Sequence, residues 1–541
     1  MRKSLFIAVG VLSAVSSFAQ TNFTAQLSLP LTAQPQIITW NPPNWSGPLV
    51  NYLVGADSFY NAGIYGQSAS AANVEAFHAW SGHETLTQVS EQFTGTGALG
   101  SLGDHATAVT SVIAGRGNLW YHQAGIAFFA DIKSGAMATV DYGNGSFDFT
   151  TESLISTYSH FFGQVDTINS SWGGGGDPTG SSFETVVLDG LALQNPRTTF
   201  VVAAGNSGPG ANQVGGPANG YNSISVAALG NANTFDQLAS FSSGGPQDYW
   251  DPIRGTVSGV RAAVDVAAPG EDLVGAAYVP GNPQNNLYYT GIAGTSFAAP
   301  IVTGGATLMD SASRFYGLND ESRDARVIKS VLMTSADKIS GWDNGQSLLG
   351  GVVTTTQGLD YYSGAGSLDL HNTYTTYLTG TRDVAGLGGG NVNNIGWDYG
   401  ALNSVGAHND YVINQALQAG TMLTTTLDWF RNRGTNGDDS AFADLNLEVW
   451  DSTFTHRIAR SVSQYNNTEH LYFSVPTTGN YGLRVTYNQQ MFGDVGATDY
   501  GLSWSGTPSA IQSIPEPGVG MLFLLGGVTI FATRRIARPR R

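Results

Sequence analysis

The chain has 541 residues, too many for one hydrophobic core, and at about 150 residues per domain it predicts several folded units. Lys plus Arg number 23 against 40 Asp plus Glu, and a net charge of −17 excludes the basic face that a nucleic-acid partner would need. There is no cysteine, so disulfides, thiolate metal sites and a cysteine nucleophile are all excluded, and any covalent catalysis must use oxygen or nitrogen.

In chain order, Arg2 and Lys3 precede an apolar run from Leu5 to Val15 and then Ser17, Phe18 and Ala19. This pattern predicts a secretory signal over residues 1–19 with cleavage after Ala19, followed by an N-terminal leader over 20–49. From Val50 onward, short β-branched runs alternate with helix-like stretches. Ala71–Val74, Gly125–Ala130, Thr167–Ser170, Thr199–Ala203 and Ser223–Ala227 read as buried strands, and Ala106–Ile113, Ser181–Leu193, Ser296–Ser313 and Asp324–Ser335 as helices. Residues 50–379 therefore predict an α/β unit with a parallel sheet and crossover helices. After Gly380 the runs Thr421–Trp429, Leu445–Trp450, His470–Val475 and Tyr481–Tyr487 alternate apolar and polar residues between Gly, Asn and Asp clusters. Residues 380–510 thus predict an antiparallel β-sandwich, joined through the glycine-rich stretch Gly386–Gly390.

The last segment, 511–541, holds Pro515-Glu516-Pro517, an apolar run from Val519 to Ala532, and Arg534, Arg535, Arg538, Arg540 and Arg541. That order resembles the PEP-CTERM sorting tail of exported bacterial proteins, which implies a sorting enzyme, an exosortase, as partner. A plain membrane anchor with its basic end inside is the alternative. Both readings bring the membrane in only through the tail before processing. With the signal, they place the protein outside the cytoplasm, secreted or in the cell envelope of a Gram-negative bacterium.

Four local blocks carry the chemistry. Serine-based amide hydrolysis needs a nucleophile, a base, a group that orients the base, and donors for the oxyanion. Gly294-Thr295-Ser296-Phe297-Ala298-Ala299-Pro300 places a serine where a tight turn enters a helix, and Asp104-His105-Ala106-Thr107 places a histidine at the start of another. Val201 to Gly208 is an apolar strand ending in Gly205-Asn206-Ser207-Gly208, and Ile168 to Gly174 reads Ile-Asn-Ser-Ser-Trp-Gly-Gly. These blocks resemble those of the subtilases and fall in that family's order. The loops Ala239–Pro246 and Val266–Gly270, with Gly364-Ala365-Gly366, are similar to further segments of that domain.

The resemblance implies a subtilisin-like parallel sheet with helices on both faces, Ser296 as nucleophile, His105 as base and Asn206 as oxyanion donor. It also implies that Ser171, Trp172, Gly173 and Gly294 contact substrate, with Trp172 walling the primary pocket. Three positions depart from the family. Ala106 stands where glycine is usual, Ala108 where a second histidine is usual, and Glu75 where the triad aspartate belongs. Laying Ala71-Ala72-Asn73-Val74 over the family's first strand brings Glu75 to about 30 residues before His105, and the sedolisin group uses glutamate in this role. Asp104, Asp57, His78 and His83 are the neighbouring candidates; Asp104 adjoins His105 and points elsewhere, and the others read as solvated loop residues.

The leader is too short for the folded inhibitory segment that many subtilases carry. The chemistry needs no cofactor. Gly437, Asp438, Asp439 and Asp444 read as a solvated turn, with structural calcium as the alternative. The sequence thus predicts a serine endopeptidase acting on protein or peptide substrates. The alternatives are a weak or inactive pseudoprotease that binds peptides at the surface, and a matrix protein.

Overall fold

The computed structural model describes residues 22–26, 36–37, 50–117, 124–230 and 234–506; the expected signal, most of the leader and the tail lie outside the described residues. Among the described residues no helix is long and apolar enough to cross a membrane.

The first unit is built on a parallel sheet of β1 (Ser70–Glu75), β2 (Val89–Thr94), β3 (Asp131–Ala136), β4 (Thr167–Ser170), β5 (Thr199–Ala203) and β6 (Ile224–Gly230). Its order is β2-β3-β1-β4-β5-β6, with β7 (Val266–Pro269) parallel on β6 and the two-residue strand Gln237–Leu238 antiparallel on the same edge. Strands β4, β5 and β6 are buried along their whole length. That is why β5 and β6 read in the sequence as largely apolar runs rather than alternating ones. The chain fills the sheet on one side of β1 and then on the other, so β1 is where the strand order reverses. In open α/β sheets the crevice outside the carboxyl ends of the strands at such a point is the usual place for a ligand, and Glu75 is the last residue of β1.

Helices cover both faces. Helix α1 (Asp104–Ala114) lies beside α4 (Thr295–Tyr316) over one face. Helix α2 (Thr151–His160), started by a capping box between Thr150 and Ser153, packs on the other face beside α3 (Phe183–Gln194). The faces are told apart by β1 itself: Glu75 meets α1, whereas Val74 lies with Thr157 of α2 around Gly135. The expected α/β sheet with helices on both faces is therefore the fold of this unit.

One expected strand is displaced. Gly125–Ala130 is not a strand but a turn, and the strand is the following segment, Asp131–Ala136. The apolarity of Ile126, Ala127 and Ala130 comes from packing this turn beneath the end of α1, where Ile126 N–H and Ala127 N–H donate to Val112 and Ile113 carbonyls.

The β-rich layer is a sandwich whose sheets are mixed rather than purely antiparallel. Its larger sheet runs in the order Ser347–Leu349, Val352–Thr355, Arg457–Ser461, Asp439–Asp451, Tyr481–Phe492, His408–Ile413, Gly390–Val392, so two strands that precede residue 380 pair onto it. The smaller sheet is Thr381–Arg382, Ile395–Leu402, Thr498–Ser505, Met422–Trp429, Thr468–Ser474. Three short pairings are parallel: Val352–Thr355 with Arg457–Ser461, Gly390–Val392 with His408–Ile413, and Thr381–Arg382 with Ile395–Leu402. Side chains from both sheets share one core, including Leu427, Leu447, Val485 and Trp504.

The smaller sheet packs on helix α5 (Ala325–Ser335), whose residues are all buried. Buried charges cross this junction in pairs. Lys329 Nζ lies 3.0 Å from Asp265 and 3.2 Å from Asp428, and Arg433 lies 3.0 Å from Asp189. Because an unpaired buried charge is costly, these pairs fix the two layers against each other. The turn at Gly437-Asp438-Asp439 belongs to the same junction. Asp439 is bound by Arg431 and Arg433, while Asp444 turns to Asn488 and Gln489, so the acids considered for calcium do not converge. Among the described residues no group of three or more His, Asp or Glu side chains is placed to hold a metal ion.

Candidate active site

Ser296 is the second residue of α4. The turn before it needs Gly294, whose φ of 147° favours glycine, with its N–H tied to the Gly270 carbonyl at 2.9 Å. Four residues beyond Ser296, Pro300 lies inside the helix and supplies no N–H for the Ser296 carbonyl. Ser171 Oγ takes that place, donating to the Ser296 carbonyl at 2.8 Å, and in return Ser296 Oγ donates to the Ser171 carbonyl at 3.1 Å. The segment after β4 and the first turn of α4 are therefore locked together on both sides of the nucleophile.

Asn206 follows the end of β5. Its Oδ1 accepts from Thr295 N–H at 2.9 Å and from Thr295 Oγ1 at 3.1 Å, while Thr295 Oγ1 accepts from Gly205 N–H at 3.1 Å. A backbone N–H can only donate, so the Thr295 contact fixes which end of the amide is oxygen and holds the Nδ2 donors on the opposite side. The loop 239–246 supports this turn: Ser243 Oγ accepts from Ser207 N–H and Phe241 carbonyl accepts from Gly208 N–H. Thr295 was not singled out in the sequence. Its signal was its place between Gly294 and Ser296, but only the fold brings it to Asn206.

His105 is the second residue of α1, and its Nδ1 lies 3.2 Å from Glu75 Oε2. Both side chains are buried. Where Glu75 accepts as a carboxylate, Nδ1 is the donor, which in a neutral imidazole leaves Nε2 as the acceptor. His105 Nε2 and Glu75 Oε1 are both buried without a hydrogen-bond partner among the described residues. The imidazole packs against the ring of Phe297, the residue after Ser296, with centroids 5.7 Å apart. Glu75, His105, Ser296 and Asn206, far apart in sequence, are thus gathered at the carboxyl ends of β1, β4 and β5 and the amino ends of α1 and α4.

The neighbouring candidates are engaged elsewhere. Asp104 accepts from Tyr278 N–H and Tyr289 OH, and burial pushes its carboxyl above the usual range against those two bonds. Asp57 opens a short helix that packs on α6 (Leu370–Leu378). His78 and His83 are buried rather than solvated: His78 Nε2 bonds Thr94 Oγ1, and His83 spans Thr85 Oγ1 and the Leu287 carbonyl. Burial lowers the pKa of both.

The expected substrate segment differs in one respect. Trp172 is 2% exposed, with its ring edge-on to Phe149 at 5.2 Å and its Nε1 donating to Tyr158 OH at 3.2 Å. It is a core residue and does not wall an open pocket; its NH finds its partner inside the protein, as a buried indole requires. Gly174 N–H donates to the Gly216 carbonyl at 2.8 Å. Gly173 and Gly174 thus run beside the 215–217 segment, which sequence reasoning did not single out. A Cβ on Gly215 would sit 2.0 Å from the Gly174 carbonyl, so this approach requires glycine at 215.

The profile of the subtilase family matches residues 81–366, just over half of the chain. The matched residues include His105, Asn206 and Ser296 and begin after Glu75. The chain is also 30% identical over 244 residues to the thermophilic serine proteinase of Bacillus sp. (strain AK1), a match that takes in 44% of this chain and 48% of that protein. The chain thus spans about half the length of the curated relative it matches. With the parallel sheet and the site at its carboxyl ends, the family match establishes that the chain belongs to the subtilase family.

Proposed function

We propose that the protein is an exported serine endopeptidase that hydrolyses peptide bonds in proteins. The observation that carries this reading is the His105–Glu75 contact, which holds the imidazole with Nε2 as acceptor beside the first turn of α4. Ser296 Oγ attacks the scissile carbonyl, and Nε2 of His105 takes its proton and later returns it to the leaving amine. Glu75 fixes the tautomer and stabilises the imidazolium. The Asn206 amide and the Ser296 N–H at the positive amino end of α4 stabilise the oxyanion. Ser171 and Gly173 offer backbone for strand-like pairing with the peptide, and Gly294 leaves room for its close approach.

The same reading takes residues 50–379 as the peptidase unit and 380–510 as the sandwich. It takes 1–19 as an export signal and 511–541 as the PEP-CTERM-like tail that a sorting enzyme processes. The chemistry itself uses no cofactor. A second reading, peptide binding without turnover, is favoured by one observation: Ser296 Oγ donates to the Ser171 carbonyl while His105 Nε2 has no hydrogen-bond partner among the described residues.

Incubating the purified protein with casein and with internally quenched peptides separates the two. The peptidase reading expects cleavage at internal bonds that Ser296→Ala abolishes. Peptide binding without cleavage at any pH at which the protein stays folded would replace it with the second.

A further inference from the structure

Strand β1 presents Asn73 and Glu75 on the same face, two residues apart, toward α1. Glu75 touches His105, and one pleat below it Asn73 touches the same helix twice. Asn73 Nδ2 donates to the Ala106 carbonyl at 3.2 Å and to Thr110 Oγ1 at 2.9 Å. Asn73 is in register with Asn169 on β4. Asn169 Nδ2 donates to Asn73 Oδ1 and to Ser171 Oγ, both at 2.9 Å, and Asn169 Oδ1 accepts from Thr303 of α4 at 3.0 Å.

The direction of this chain is forced. The Ala106 carbonyl can only accept, so Asn73 must turn its NH2 to α1 and its oxygen to Asn169, which must then turn its own NH2 to Asn73 and its oxygen to Thr303. Every donor and acceptor of the two amides is used, and Asn73, Asn169, Thr110 and Thr303 are all fully buried. A buried polar network of this kind holds only when it is complete, so it specifies one arrangement of the elements it joins.

The contact it underlies is not fixed by its own bonds. Only one oxygen of Glu75 is bonded, at 3.2 Å, the long end of the hydrogen-bond range, and the other has no partner among the described residues. The meeting of His105 with the longer glutamate side chain is therefore set by where α1 stands above β1. Asn73 sets that height, gripping the residue after His105 and the residue one turn later.

We infer that Asn73 is a positioning residue that, paired with Asn169, clamps the His105 helix and the Ser296 helix to the central strands so that Glu75 can serve as the acid. The inference rests on the peptidase reading for its kinetic consequence and on the hydrogen bonds alone for its structural one.

The test is a pair of double-mutant cycles, Asn73→Val with Glu75→Gln and Thr110→Val with Glu75→Gln, each read as kcat and KM. These are joined by the NMR resonance of the His105 Nδ1 proton in the folded protein. Asn73→Val is expected to lower kcat by about 10- to 100-fold with KM unchanged, and to add little once Glu75 is already Gln. Thr110→Val, isosteric and removing one acceptor, repeats the pattern at smaller size and carries the test alone if Asn73→Val does not fold. Equal losses in both backgrounds, or a folded variant with unchanged kcat, would overturn the inference. A wild type without peptidase activity would sink the peptidase reading instead. The Nδ1 proton then still decides, because the clamp predicts that it shifts and exchanges faster in the variants, and an unchanged resonance overturns it.

Discussion

The two halves of the site are built differently. The serine half is held by several mutual hydrogen bonds between segments: Thr295 binds Asn206 twice and Gly205 once, and Ser171 and Ser296 bind each other in both directions. The histidine half has one side-chain hydrogen bond, of 3.2 Å, two buried polar atoms with no hydrogen-bond partner among the described residues, and a helix whose height is set from the strand beneath it. A nucleophile and its oxyanion donor can be fixed by a turn and a helix start. The base and its acid depend on the height of a whole helix above a strand.

This contrast orders the expected effects of mutation. Ser296→Ala and His105→Ala each remove a reacting group, and each should lower kcat by about 10⁶, the loss that follows deletion of either group in a serine triad. The double mutant should be little worse than either single one, and additive losses would mean that the two groups do not act as one unit. Next comes the acid. Glu75→Gln keeps the shape but offers an amide that can hold the wrong tautomer, so kcat should fall by about 10⁴. Glu75→Asp, shorter by one methylene beneath a helix that does not move, should fall between wild type and Gln; a Gln variant as active as wild type would make Glu75 an ordinary strand-end carboxylate.

On the better-braced side the effects are smaller. Asn206→Ala should cut kcat by about 10²- to 10³-fold with KM little changed, because its amide acts on the transition state. A loss confined to KM would move Asn206 out of the oxyanion site. Thr295→Val removes one of two contacts to Asn206 Oδ1 and leaves the N–H contact, so steady-state kinetics should show a smaller fall than Asn206→Ala. A larger fall would mean that the Thr295 hydroxyl itself meets the substrate.

The sequence made the serine half legible because its signals are local. The box from Gly294 to Pro300, the Gly205-Asn206 turn and the Ser170-Ser171 strand end each carry their backbone requirement within a few residues. The buried strands β5 and β6 were equally readable as apolar runs. Where a signal depended on packing, it was misread. The apolar turn 125–130 looked like the strand that follows it, and Trp172 looked like a pocket wall although Phe149 and Tyr158 enclose it. His78 and His83, read as solvated, are buried with partners. Asn73 and Asn169 passed as unremarkable strand residues, since nothing in either segment shows that the two strands lie in register. Glu75 is reached by laying Ala71–Val74 over the family's first strand, with its distance from His105 in support, and it precedes the residues that the family profile matches.

The most direct measurement of the central claim is labelling of the folded protein with a fluorophosphonate probe, followed by mass spectrometry of its peptides. An activated serine is the only group in a cysteine-free chain that the mechanism offers to this reagent. The account predicts a single adduct on Ser296, absent in Ser296→Ala and strongly slowed in His105→Ala and Glu75→Gln. An adduct that persists in Ser296→Ala, or a folded wild type that takes up no probe at any pH, would contradict it.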